Sequence, residues 1–303
     1  MPIRREVNSL MDKFVPPVDP ESRLILNRVG EFFTGSDAPS LPDDAKWRGS
    51  WAGSCSRQIE YNMRGVEQSD PPSPADFWRM GLGSIVHEHL NPALEHWLDA
   101  DKSVILHEEL TTQIGPNGWG HVDMVLELPE QDQKVVIELK TINGTGFKKS
   151  IQGQGPRHSA LLQGSLYANS LDADLLVICY LAIELLSPGW ATAKGFDNLG
   201  RFGAEWHYTP DVFVPLAEQE IKRMEWISER VATEQRVPRM FSESDPDIPA
   251  GAVINQPATG AWSLTDGDQL LGRGTTWQCN YCSHQTTCVN DQENQVQDND
   301  QSV

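Results

Sequence analysis

The sequence predicts an α/β fold, a central sheet covered by helices, and three observations carry that prediction. Segments of helical and strand-like spacing follow one another as helix, three strands, helix, strand, which is an α/β order. The strand segments are apolar enough to need helices over them. At 303 residues, with 39% hydrophobic and 22% charged residues, the chain is long enough for one large domain or two small ones and can bury a sizeable core.

The elements can be taken in order. Residues 21–33 place Leu24, Ile25, Leu26, Val29, Phe32 and Phe33 at helical spacing, and a Pro- and Ser-rich loop follows. A short helix is expected at 56–63. A longer one is expected at 76–98, bent or broken near Pro92, because proline removes a backbone donor and crowds the preceding turn. Strands are expected at 103–114, 119–128 and 133–142, a helix at 159–171 and a strand at 174–186. "RFGAEWHYT" reads as one more strand and 212–235 as one more helix. Residues 236–278 are rich in Pro, Gly and Asp without a clear period, which predicts an irregular excursion over the surface. The polar, acidic stretch after Asn290 predicts a disordered tail. This divides the chain into a helical segment and loop at 1–50, a main domain at 51–290 and a tail at 291–303.

Charge narrows the function classes. A formal net charge of −19 argues against a protein that coats nucleic acid nonspecifically, since phosphates are held by Lys and Arg. The charge is uneven, however. Between 134 and 157, Lys134, Lys140, Lys148, Lys149 and Arg157 face Glu138 as the single acidic residue. The opening "MPIRREVNSLMDKF" has no apolar core of a secretion signal, and the longest apolar run, "LLVICYLAIELL", contains Glu184 and is too short to span a bilayer. A cytoplasmic protein without a membrane partner is expected.

The chemistry concentrates in "VVIELKTIN" at 135–143. Side chains alternate along a strand, so Val136, Glu138, Lys140 and Ile142 share one face, opposite Val135, Ile137 and Leu139. In "GHVDMVLEL", Val122, Met124, Leu126 and Leu128 are expected on one face, with Asp123 on the other. If these strands pair through the turn "PEQDQ", then Asp123, Glu138 and Lys140 gather on a common polar face. A strand-end ion pair between Glu138 and Lys140 is the simpler explanation of E-x-K. Two carboxylates from separate strands also suit a hard divalent ion such as Mg2+ or Mn2+, which can activate water and hold charge on a phosphodiester, while Lys140 orients that water and stabilises developing negative charge.

Asp123 followed by Glu138-x-Lys140 on the next strand resembles the motif set of the PD-(D/E)XK nucleases, and other positions are similar to the RecB-like exonucleases. In "GSIVHEHL", His87 matches a helical metal-ligand histidine of that family, with His89 as a rival in the same stretch. In "QGSLY", Gln163 and Tyr167 match its Q-x-x-x-Y motif next to DNA. The resemblance implies a restriction-endonuclease-like core over about residues 50–290. It also implies that His87, Asp123, Glu138 and the Leu139 backbone carbonyl bind metal, that Lys140 positions water, and that Gln163, Tyr167, Lys148 and Lys149 contact the substrate.

Of the five cysteines, Cys179 lies in an apolar strand and reads as a core residue. "CNYCSHQTTC" places Cys279, Cys282 and Cys288 close together, and Cys55 stands far earlier in "SCSRQIEY". Four thiolates accept zinc or an iron–sulfur cluster, and the spacing does not choose between them. The split of one cysteine before the core and three after it resembles the AddB-type and CRISPR-associated iron–sulfur exonucleases, with Ser56 where their S-C-P-R-x-x-x-Y start has proline. It implies a [4Fe–4S] cluster, zinc being the alternative, that ties the two ends of the domain together. The expected function is an exonuclease on linear DNA with single-stranded ends, in recombination, repair or end processing, with recombination or CRISPR-adaptation proteins as partners. A non-catalytic DNA-binding subunit and a structure-specific endonuclease are the alternatives.

Overall fold

The structure, a computed structural model, describes residues 46–86, 105–237, 252–255, 261–266, 269–275, 282–288 and 290–291. The expected helix at 21–33, the second half of the helix at 76–98 and the expected tail beyond Asp291 lie outside these residues, as do His87, His89 and Cys279. The chain separates into two compact units, one of 1–39 with 72–84 and one of 40–71 with 85–303. In the first, Ser73 and Asp76 form a reciprocal helix start. The Asp76 N–H donates to Ser73 Oγ and the Ser73 N–H to Asp76 Oδ2, so two otherwise orphaned amides are satisfied where the helical run begins.

The second unit is built on a six-stranded mixed sheet. Its strands are β1 (Trp47–Arg48), β2 (Ile105–Ile114), β3 (Gly118–Leu128), β4 (Gln133–Ile142), β5 (Leu175–Ala182) and β6 (Gly203–Tyr208), in the order β1-β3-β4-β5-β6 with β2 also paired to β3. β2, β3 and β4 form an antiparallel meander because only short turns join them. β4 and β5 run parallel, which requires a crossover, and the chain supplies it with the Gly144–Lys149 and His158–Ser170 helices. β6 returns antiparallel on β5. This is the α/β arrangement expected of the sequence, a mixed sheet flanked by helices.

The main core lies between the sheet and two helices, His158–Ser170 and Pro210–Ala232. Val136, Leu176, Ile178 and Tyr180 meet Leu162, Leu166, Ala217, Met224 and Ile227, all buried. Gly164 lets the first helix sit close, since a Cβ there would fall 2.8 Å from Ile178 Cδ1. Leu126, Val135 and Val177 form a smaller cluster on the opposite face.

Several expectations need correction. The strand expected to reach 186 stops at Ala182, because its partner β4 ends at Ile142 and the Ile183 N–H makes the last bond to the Ile142 carbonyl. The stretch expected to be irregular, 236–278, contains a three-stranded antiparallel sheet, β7 (Ala252–Asn255), β8 (Ala261–Asp266) and β9 (Gln269–Thr275). Its strands are too short to show a period, although Asp266-Gly267 between β8 and β9 is a hairpin signal. Two-residue β1 and the six-residue helices Gly144–Lys149 and Pro188–Ala193 escaped a periodicity reading for the same reason.

Candidate functional site

The site begins where a ladder stops. β3 and β4 pair from Leu128↔Gln133 to Met124↔Ile137, and the next facing residues would be Asp123 and Glu138. There the strands part, and farther along β1 takes the vacated edge of β3, with Trp47 paired to Gly118 and Arg48 to Trp119. At the parting the Leu139 N–H donates to Asp123 Oδ2 at 2.8 Å, so a carboxylate replaces the missing ladder carbonyl and is held in place.

The pleat also breaks at this point. Val122 and Leu126, expected on one face, belong to opposite clusters, with Val122 and Val125 in the main core and Leu126 across the sheet. On β2 the pairs Glu108↔Met124 and Leu110↔Val122 flank an unpaired Glu109 facing Asp123, and Glu109 has φ +49°. A left-handed backbone at a glutamate costs about 1–2 kcal/mol. The paired irregularity on β2 and β3 swaps the faces while keeping the register. Sequence reading missed Glu109, which carries no signal in a run of strand residues.

Glu138 is fully buried, and Lys140 Nζ lies against its Oε1 as an ion pair. Beyond that contact neither carboxylate oxygen has a hydrogen-bond partner among the described residues. Burial pushes the Glu138 carboxyl up to about 8, with Lys140 opposing the shift and the Asp123 charge adding to it. For Lys140, burial acts downward, but Glu138 and Asp123 outweigh it and the net direction is up. Asp123, Glu138 and Lys140 therefore form one electrostatic group, which once both carboxylates are ionised carries two negative charges against one positive. Such a group lacks positive charge, and the buried Glu138 oxygens have unused acceptor capacity that suits a hard divalent ion. Among the described residues no three His, Cys, Asp or Glu side chains converge on a point that could hold a metal ion.

The His158–Ser170 helix covers the site. The Arg157 N–H just before it donates to Tyr180 Oη at 2.7 Å, and Tyr180 is the β5 partner of Lys140. Gln163 and Tyr167 share a helix face, and Gln163 Nε2 donates to Tyr167 Oη at 3.2 Å. Tyr167 is only 2% exposed. Its phenol is raised well above the ordinary value by burial first and then by the Glu138 charge, with Asp123 and Glu109 contributing. Lys148 and Lys149 end the short helix that Asn143 caps through its Oδ1, which accepts from the Gly146 N–H. Both are exposed, and Lys148 Nζ stands 5.5 Å from the Trp190 ring centroid.

Two segments far apart in the sequence meet around the Ser56–Met63 helix. Cys55 precedes the Ser56–Met63 helix. Residues 282–291 lie against that helix and the loop after it. Thr286 donates through N–H and Oγ1 to the Asp70 carboxylate, the Asp70 N–H donates to the Ser283 carbonyl, and buried His284 meets Asn62 Oδ1 at 3.0 Å. Cys55, Cys179, Cys282 and Cys288 form no disulfide with one another among the described residues. Burial pushes the Cys179 thiol up to about 12, with Glu205 adding, which suits an inert core residue. Among the described residues, no helix is long and apolar enough to cross a membrane.

No protein-family profile matches this chain, and no curated protein does. Similar solved structures include SSO0001, 15% identical with a TM-score of 0.41 over 88% of this chain and 96% of that one. The alkaline exonuclease LHK-Exo from Laribacter hongkongensis is 10% identical with a TM-score of 0.39 over 59% and 80%. A phage-related exonuclease from Haemophilus somnus 129PT is 9% identical with a TM-score of 0.34 over 59% and 81%. The likeness is distant, and the chemistry of the site rests on its own residues.

Proposed function

We propose that this protein is a metal-dependent exonuclease that hydrolyses phosphodiesters of linear DNA with single-stranded ends. The observation that carries the reading is the parting of β3 and β4, where Asp123 and a buried Glu138 with unused acceptor capacity stand with Lys140. Asp123, Glu138, the Leu139 carbonyl and His87 would hold Mg2+ or Mn2+. A bound ion supplies Lewis-acid activation of water and countercharge for the phosphate. Asp123 is pre-aimed by the Leu139 amide. Lys140, tethered to Glu138, orients the attacking water and stabilises charge developing on the phosphate oxygens. Gln163 faces the strand, and exposed Lys148 and Lys149 attract the phosphates flanking the scissile one.

Cys55, Cys279, Cys282 and Cys288 would hold a [4Fe–4S] cluster, with zinc as the alternative. The reading is supported by the docking of 282–291 onto the helix that Cys55 starts. Joining positions more than 220 residues apart closes a long loop, so cluster binding becomes folding free energy. Protein purified without oxygen should contain iron and acid-labile sulfide in comparable amounts, and Cys179→Ser should retain them. Stoichiometric zinc without sulfide would replace the cluster.

The decisive experiment is digestion of end-labelled linear DNA and covalently closed single-stranded circles with added Mn2+. Progressive loss of the linear DNA with survival of the circles is expected. Equal rates would favour an endonuclease, and binding without cleavage a non-catalytic subunit.

A further inference from the structure

Two glycines far apart in sequence make room for one phenol. A Cβ at Gly49 would lie 2.6 Å from Tyr167 Cε1 and 2.9 Å from its Oη, and one at Gly120 would lie closer still to the same ring carbon. The Tyr167 ring therefore sits between the backbone of the Gly49–Trp51 turn and that of β3, three residues before Asp123. Ile114 closes the same space, since its Cδ1 would be 2.8 Å from a Gly49 Cβ. At 2% exposure the ring has no face for a nucleotide. Its hydroxyl is committed to Gln163, whose side chain is half-buried and reaches the surface.

We propose that Tyr167 is a positioning residue that never touches DNA, and that it orients the Gln163 amide, which alone of the pair contacts the single strand. The phenol oxygen takes one amide N–H. This fixes the amide plane and leaves the Gln163 carbonyl and second N–H, unbonded among the described residues, to read a nucleotide edge. The glycine cradle holds the phenol, and the phenol holds the amide at a set height above Asp123 and Glu138. The inference rests on the nuclease reading for its ligand, though not for its internal geometry.

The test has two readouts. In EDTA, where no cleavage occurs, affinity for a fluorescein-labelled oligothymidine is measured for the parent, Gln163→Ala, Tyr167→Phe and the double variant. Each single change should weaken binding about threefold to tenfold, the worth of one hydrogen bond, and the double variant should be no weaker than Gln163→Ala alone. Independent losses that multiply would mean that Tyr167 touches the strand itself and would overturn the proposal, as would unchanged binding in Tyr167→Phe. Separately, the side-chain amide resonances of Gln163, identified by their loss in Gln163→Ala, should move in Tyr167→Phe. Unmoved resonances would also overturn it. A parent that binds no oligothymidine, with the resonances shifting as expected, would remove the nuclease reading and leave the positioning.

Discussion

Two buried carboxylates, Glu138 and Glu220, each pair with a cation, and they differ in how their oxygens are hydrogen-bonded. Glu220 is saturated. Its Oε1 takes the Gly53 N–H at 2.8 Å and Arg223 Nη2, its Oε2 takes Arg223 Nε at 2.9 Å, and Arg223 also donates to the Ser54 carbonyl and Ser56 Oγ. Glu138 has the Lys140 contact, no further hydrogen-bond partner among the described residues and the charge of Asp123 beside it. Burying a charge is tolerable only when it is paired and hydrogen-bonded. The Glu220 pair meets that condition and ties the turn on both sides of Cys55 to the long helix. The Glu138 pair does not, and its deficit is what a divalent ion would fill.

The largest effect should come from breaking the satisfied pair. Arg223→Ala leaves Glu220 buried and uncompensated and should cost about 3–5 kcal/mol, read as a lowered denaturation midpoint or insoluble protein. Glu138→Ala should do the opposite, abolishing cleavage by at least ~10²–10³-fold while leaving the metal-free protein as stable as the parent or more so. Parental cleavage by purified Glu138→Ala would remove Glu138 from the site, and a large stability loss would make the two carboxylates alike.

A third, smaller effect separates them by pH. The Glu138 carboxyl titrates near 8 in the folded protein against an ordinary value of 4.5. The folded state therefore holds a proton that the unfolded state has lost across that window. The metal-free parent should lose stability, on the order of a few kcal/mol, as pH rises from about 4.5 to 8, relative to Glu138→Gln measured alongside. Added Mn2+ should restore it at pH 8 in the parent and not in Glu138→Gln. Thermal melts across that range decide it, and parallel pH profiles would count against a protonated Glu138. The smallest effect is at Glu109, where Glu109→Gly should relieve the left-handed backbone and stabilise the fold by roughly 1 kcal/mol. An unchanged melting temperature would mean that the φ of +49° is not strained.

Much of the fold was legible because its elements are long and periodic. The expected helix at 56–63 is Ser56–Met63, and the strands at 119–128 and 133–142 are met by Gly118–Leu128 and Gln133–Ile142 to within a residue. The elements that escaped, β1, β7 to β9 and the two six-residue helices, are too short for a period to repeat. That Glu138 and Lys140 share a face was legible for a local reason, since alternation along β4 depends on the backbone alone, whereas on β3 the alternation breaks beside Asp123. Glu220 and Arg223 were not legible, because charges at i and i+3 on a helix are ordinarily solvated and nothing in their own segment says that Gly53 and Ser54 will come to cover them.

By itself, then, the sequence determined which residue types alternate onto one face of β4 and which helix carries Gln163 and Tyr167, because those are properties of neighbours along the chain. Only the tertiary structure decided that β3 and β4 part at Asp123, that the pleat reverses beside Glu109, that Glu138 is buried, and that Gly49 and Gly120 enclose Tyr167. Register, desolvation and close approach all depend on which distant segments end up in contact. Residues 49, 114, 120 and 167 share one small volume because a crossover helix returns over a meander, and no spacing within any one of those segments encodes that meeting.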